Sequence, residues 1–278
     1  MLAQWVKQNK QVVVITISLF FIYNYIVNSV CLASQDTDSI TKPLVSINKL
    51  DPTLSYINVK TTDTKRYIPK QAFQYFPVVE KEVIRNIPGF YKDKVHYFTG
   101  LIEHESCLSL THSRCWSPSS RLKTAREEGA GLSQLTRAYK EDGTIRFDII
   151  TDLKKQHSNE LKELSWSNVY QRPDLQIRAM VLLSKNNFNK IPSKYMEPIQ
   201  HIAFTDAAYN GGLTGVNNSR RACGLAKDCD PDIWFNHVNR HCLKSKKPLY
   251  GNRSVCDIWL HHVDDVIHTR MPKYKPYF

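Results

Sequence analysis

The chain has 278 residues and a mass of 32.2 kDa, with 38 Lys and Arg against 26 Asp and Glu for a net charge of +12. That length holds one or two domains with sizeable cores, and 10 Gly, 13 Pro and 42% hydrophobic residues exclude collagen-like, low-complexity and wholly disordered chains. A mean hydropathy of -0.41 excludes a multi-span membrane protein, while the basic balance points to an anionic partner: nucleic acid, a membrane surface or an acidic polymer.

No charged residue occurs from Gln11 to Gln35. Within that stretch Val12 to Ala33 reads VVVITISLFFIYNYIVNSVCLA, and about 20 apolar residues at helical rise span a bilayer. Lys7 and Lys10 precede the run, whereas Asp36 and Asp38 follow it. That asymmetry orients the N-terminus towards the cytoplasm and the remainder outside. The expected layout is a cytoplasmic stub over residues 1–10, a transmembrane signal anchor over 11–33 and an exported remainder. A signal peptide cleaved near Ala33, after Cys31-Leu32-Ala33, is the alternative with the same destination. Residues 34–66, polar and carrying Pro43 and Pro52, read as a stalk.

Export argues against nucleic acid as a partner. Lys7 and Lys10 are the only charges before Ser34, so the exported part keeps +10 of the +12. Cell wall or lipid becomes the expected anionic neighbour. Six of the seven cysteines lie in this part: Cys107, Cys115, Cys223, Cys229, Cys242 and Cys256. Six cysteines allow fifteen pairings; the local set would be Cys107–Cys115, Cys223–Cys229 and Cys242–Cys256. A zinc site from Cys223, Cys229, His237 and His241 lacks C-x2-C and the spacing of a finger, so neither a metal nor another cofactor is expected.

From Tyr67 onward the pattern turns helical. Pro77 fits the first turn of a helix through Val79, Val83 and Ile84 that ends near Pro88-Gly89. A second helix is expected from about Asp93 to Ser106, and residues 107–124 read as a polar loop. Pro173 opens a third helix, whose apolar residues from Leu175 to Leu183 make a stripe wide enough for several neighbours. Residues 197–209 read as a helix stopped by Asn210-Gly211-Gly212. Two further helices are expected over 232–243 and 257–269. No run of alternating strands stands out, so the expected fold is mostly α, one domain over 67–278.

Chemistry concentrates at Glu105. Val95, Phe98, Ile102 and Glu105 share one helical face, and a carboxyl on an apolar stripe is desolvated, which disfavours its charged form. This is how a general acid stays protonated near neutral pH. Glu103 falls on another face and reads as an ordinary carboxylate. Other systems fail on spacing: there is no G-x-S-x-G elbow, no P-loop and no dinucleotide glycine pattern, and His104-Glu105 is followed by Leu108 where H-E-x-x-H needs His.

Three segments resemble the motifs of soluble lytic transglycosylases in order and approximate spacing: Glu105-Ser106, then Gly129-Ala130-Gly131-Leu132-Ser133-Gln134, then Ala208-Tyr209-Asn210-Gly211-Gly212. Glu105-Ser106-Cys107 followed by Leu110 to Trp116, and the stretch from Asn168 to Ala179, look like bacteriophage members of that group. Ser133 departs from the Met or Gly often found there. The resemblance covers roughly residues 67–220. It implies a goose-type lysozyme-like helical domain, and a phage cell-wall lysis enzyme that cleaves the MurNAc–GlcNAc β-1,4 bond of peptidoglycan.

By that resemblance Glu105 would act as general acid and then base, closing a 1,6-anhydro ring on MurNAc without a second carboxylate. Gln134 and Asn210 would hold sugar groups, and Tyr209 would hydrogen-bond Glu105. Ser106 would place a hydroxyl near the reaction centre, and the Gly129–Gly131 turn would let backbone approach the glycan. Asp206 is a candidate second carboxylate, more readily explained as a partner of an N–H or an Arg. The alternatives are a hydrolytic muramidase on the same fold and a non-catalytic wall-binding or assembly protein.

Overall fold

The computed structural model describes residues 67–87, 94–192 and 196–278. Among them no helix is long and apolar enough to cross a membrane. The anchor expected over 11–33, the residues before it and the stalk over 34–66 lie outside the described residues.

Helices dominate. The first, α1, is Phe76–Asn86, with Pro77 in its opening turn, where a missing N–H costs nothing. Helix α2, Val95–Ser106, is the centre of the fold: all twelve of its residues are buried. Gly100 is what lets the C-terminal segment lie against it, because a Cβ there would stand 2.8 Å from the backbone nitrogen of Met271. The burial of the whole helix overturns the expectation for Glu103. Its carboxylate accepts from Lys273 Nζ at 2.6 Å, from Arg270 Nη1 at 3.1 Å and from the Tyr274 hydroxyl. Burying a carboxylate demands such partners.

The region after α2 corrects the expectation that strands are absent. Strands β1 (Arg121–Lys123), β2 (Glu127–Ala130), β3 (Leu135–Tyr139) and β4 (Ile145–Asp148) form an antiparallel sheet in the order β1-β2-β3-β4. Gly129 pairs with Thr136, and Arg137 with Asp148. Each strand is three to five residues long, too short for an alternation to emerge from a sequence window. Glu128 ties the sheet sideways through Arg121 Nη2 at 2.7 Å and Arg137 Nη2 at 2.9 Å. Helix α3, Ile149–Gln156, follows and is capped by Asp148, which accepts from Thr151 N.

Helix α4, Pro173–Lys190, explains its own wide stripe. Ile177, Met180 and Val181 face the main core with α1, α2 and α5. Leu175, Ala179 and Leu182 face a second core with Ala130, Leu135 and α3. Two cores on opposite sides of one helix require apolar residues nearly all round.

Helix α5, Pro198–Gly211, ends at Gly212, whose φ of 78° is left-handed backbone that favours glycine. An unexpected helix, α6 (Leu213–Gly224), begins at the next residue. The helix expected over 232–243 is reduced to a 3-10 turn at Val238–His241. Side-chain bonds to the backbone, Asp230 Oδ1 to Asp232 N and His237 Nδ1 to Asp230 N, hold the chain in another path, and Asn236 has a φ of 62°. A short pair of strands, β5 (Pro248–Tyr250) and β6 (Arg253–Ser254), leads into α7, Val255–Asp264, whose Ser254 and Asp257 form a capping box. A π-helical segment, Asp265–Arg270, then widens the path into α8, Met271–Tyr274.

The cysteines pair locally: Cys107–Cys115, Cys223–Cys229 and Cys242–Cys256. Cys223, Cys229 and His241 do cluster, but the two sulfurs are bonded to each other, whereas a zinc ligand is a thiolate.

Candidate active site

A cleft of about 600 Å³ runs between the sheet side of the molecule and the α5–α6 junction. Leu135, Phe147 and Ile149 line one wall; Tyr209, Asn210 and Gly212 line the other. Glu105, 1% exposed, reaches this cleft from the last turn of α2. It is the one carboxyl residue among the described residues lining it.

Behind Glu105 stands a buried relay that the sequence did not announce. His262 Nε2 donates to Glu105 Oε1 at 2.9 Å, and His262 Nδ1 donates to Asp206 Oδ2 at 2.8 Å. The Tyr97 hydroxyl donates to Asp206 Oδ1 at 3.0 Å. With a carboxylate oxygen at each ring nitrogen, His262 holds both protons. Burial alone would pull its pKa down, but the charges and hydrogen bonds of Asp206 and Glu105 outweigh it and push it up to about 10.

The imidazolium has consequences for its neighbours. Burial, then the charge of His262, holds His104 well below the ordinary histidine range. His104 is therefore neutral, its ring edge-on to His262 with centroids 4.3 Å apart. Its Nδ1 donates to Asp265 Oδ2 at 2.7 Å. Burial opposes ionisation of Asp265, yet the His104 hydrogen bond and the Arg270 charge keep it well below the usual carboxylate range. Glu105 is thus backed by buried hydrogen bonds of Asp206 and Tyr97 that fix His262 in orientation, with the His104 ring packed against it.

The residues implied by the resemblance divide. Gln134, Tyr209 and Asn210 line the cleft with Glu105. Gln134 has a left-handed φ of 43°; its Nε2 donates to Gly131 O at 2.9 Å, while its buried Oε1 has no hydrogen-bond partner among the described residues. Tyr209 donates its hydroxyl proton to Ser133 O at 2.6 Å, not to Glu105. Burial and the nearby charges of Glu105 and Asp206 raise its pKa well above that of a free phenol, so it stays protonated.

Ser106 does not belong to the cleft. Its Oγ donates to Ile102 O at 2.7 Å and accepts from Trp116 N at 3.2 Å, which anchors the loop after α2. The glycines of the turn make room for two amide side chains. A Cβ at Gly129 would meet Gln134 Oε1 at 2.5 Å, and one at Gly131 would meet Gln176 Oε1 at 2.1 Å. Gln176 Oε1 accepts from Leu132 N and its Nε2 donates to Val169 O, so one buried amide pins the turn that presents Gln134. Asp206 is fully buried behind Glu105, where it accepts from the ring N–H of His262, the kind of partner expected for it, and from the Tyr97 hydroxyl.

His262 and Lys244, a second unannounced member of the cleft lining, carry no local signal. His262 is 157 residues from Glu105 in sequence, and only the packing of α7 against α2 and α5 brings it there. No protein-family model and no curated protein sequence matches the chain.

Proposed function

We propose that the chain is a peptidoglycan-cleaving glycosidase of the lytic-transglycosylase type, with a lysozyme-like helical domain. The observation that carries this reading is the solitary carboxyl: among the described residues Glu105 alone presents an acid to the cleft, and Asp206 is sequestered behind His262. Two-carboxylate glycosidases place both acids beside the scissile bond. A single carboxyl suits a route in which the substrate supplies its own nucleophile.

Glu105 enters the cycle as the acid, with its proton on the oxygen that does not face His262; it gives that proton to the glycosidic oxygen as the C1–O bond of MurNAc breaks, and becomes the carboxylate that pairs with the imidazolium. That carboxylate takes the proton of the MurNAc 6-hydroxyl as O6 bonds to C1, closing the 1,6-anhydro ring and returning Glu105 to its starting state. Through each cycle His262 faces Glu105 as a fixed cation, so the developing carboxylate is stabilised by a charge already in place. Asp206 and Tyr97 hold the imidazolium in register. Gln134 and Asn210 line opposite walls of the cleft, where their amides can meet the sugar groups of a bound glycan.

The cellular setting is part of the proposal. Three local disulfides suit an oxidising compartment outside the cytoplasm. A basic domain tethered through residues 11–33 would meet the wall it cleaves, as expected of a phage lysis enzyme. The test is to incubate the full chain, purified in detergent, with bacterial sacculi and to weigh the released muropeptides by mass spectrometry. Products ending in 1,6-anhydro-MurNAc are expected. Reducing MurNAc ends, heavier by one water, would instead establish a hydrolase, and release of nothing would leave the cleft without this activity.

A further inference from the structure

Lys244 follows Cys242, whose disulfide to Cys256 fastens this segment to α7. Its side chain runs through space left by two glycines. A Cβ at Gly211 would come within 2.8 Å of Lys244 Cε, and one at Gly215 within 2.9 Å of its Nζ. The Nζ donates to Gly211 O at 2.7 Å and sits 4.8 Å from the centre of the Trp259 ring. The residue is 6% exposed and lines the cleft beside Asn210 and Gly212.

An ammonium has three N–H donors, and a carbonyl answers one of them. Burial pulls its pKa down to about 8 with no carboxylate among the described residues to offset it, so it remains protonated at neutral pH. An enclosed cation without a counter-ion is costly. Capping the C-terminus of α5 does not require that cost, since an exposed lysine can cap a helix end. A charge on the cleft wall that meets a carbonyl and an aromatic ring but no acidic group among the described residues fits an anion that arrives with the ligand.

We propose that Lys244 determines specificity by pairing its ammonium with a carboxylate on the glycan bound in the cleft. This assignment rests on the glycan-cleaving reading given above. In such a substrate the carboxylate has two sources: the lactyl group of MurNAc in strands stripped of peptide, and the stem peptide in intact strands. Both present the same chemistry to Lys244, and a carboxylate met by a buried ammonium forms a charge-assisted hydrogen bond stronger than a neutral one. A glycan lacking any carboxylate would leave the cation unpaired and bind more weakly.

The test uses the full chain in detergent on four soluble substrates: peptide-bearing strands, amidase-stripped strands, and each of these after methyl esterification. For the wild type, KM is expected to be lower by about tenfold or more on the acid form than on the ester form, with a much smaller change in kcat. Whichever strand type shows the difference identifies the source of the carboxylate. Lys244→Gln, which can still donate to Gly211 O, and Lys244→Met should raise KM on the acid form and abolish the acid-over-ester preference. Equal wild-type KM values for acid and ester in both strand types would overturn the assignment, as would a Lys244→Gln variant that keeps the preference. If neither variant folds, the wild-type comparison decides alone. An enzyme that cleaves every substrate without discrimination removes the role of Lys244 only; one that cleaves none removes the reading of the cleft as well.

Discussion

Replacing His262 by Gln should cost stability in a pH-dependent way that no ordinary core histidine would show. Both ring nitrogens face carboxylate oxygens within 2.9 Å, and the pKa rises to about 10 in the folded protein. For a group raised on folding, the stabilisation is complete below its unfolded pKa of about 6.5 and is lost as pH climbs through the folded value. At roughly 1.4 kcal/mol per pH unit of displacement, the ionic contribution is on the order of 5 kcal/mol. Breaking a buried ion pair by deleting one partner costs about 3–5 kcal/mol, so the two routes agree. His262→Gln is therefore expected to lower the unfolding free energy by about 3–5 kcal/mol at pH 6.5. The gap to wild type should then narrow by about 1.4 kcal/mol per unit as pH rises towards 10. Urea unfolding followed by tryptophan fluorescence, at four pH values from 6.5 to 9.5, measures it; Trp116, Trp234 and Trp259 are buried reporters. A loss below about 1 kcal/mol, or a gap that stays constant across that range, would refute the charged bridge.

Three further outcomes follow from the packing. Gly100→Ala puts a Cβ 2.8 Å from the Met271 backbone nitrogen, so α2 and the C-terminal segment must part; calorimetry should show a loss of about 1–3 kcal/mol. Glu103→Gln leaves Arg270 and Lys273 facing an amide in the core, and urea unfolding at pH 7 should register about 3–5 kcal/mol. Replacing Cys242 and Cys256 together by Ser opens a crosslink of sequence separation 14, which should cost about 2–4 kcal/mol and raise KM through the loosened Lys244.

Much of the helical frame was legible because it is written locally. Pro77, Pro173 and the Gly211-Gly212 pair mark helix ends by backbone chemistry alone, and the α4 stripe announces two packed faces. The motifs around Glu105, Gln134, Tyr209 and Asn210 single out residues that line one cleft. What escaped depends on distance or on shortness. His262 and Lys244 reach the site only through tertiary packing, and strands of three to five residues leave no period to read. Ser106 adjoins Glu105 in sequence, but one residue further along a helix turns the side chain about 100° away, towards Ile102 O and Trp116 N. Glu103 reads as an ordinary carboxylate in the sequence because a helix with every face buried cannot be told from an amphipathic one until its neighbours are placed.

The most direct measurement of the central claim compares muropeptide release from sacculi by the full-length wild type and by Glu105→Gln. The substitution keeps the shape of the side chain and its place beside His262 while removing the acid. Release is expected to fall by about 10²- to 10⁴-fold. A Glu105→Gln protein that frees muropeptides at the wild-type rate would contradict the account.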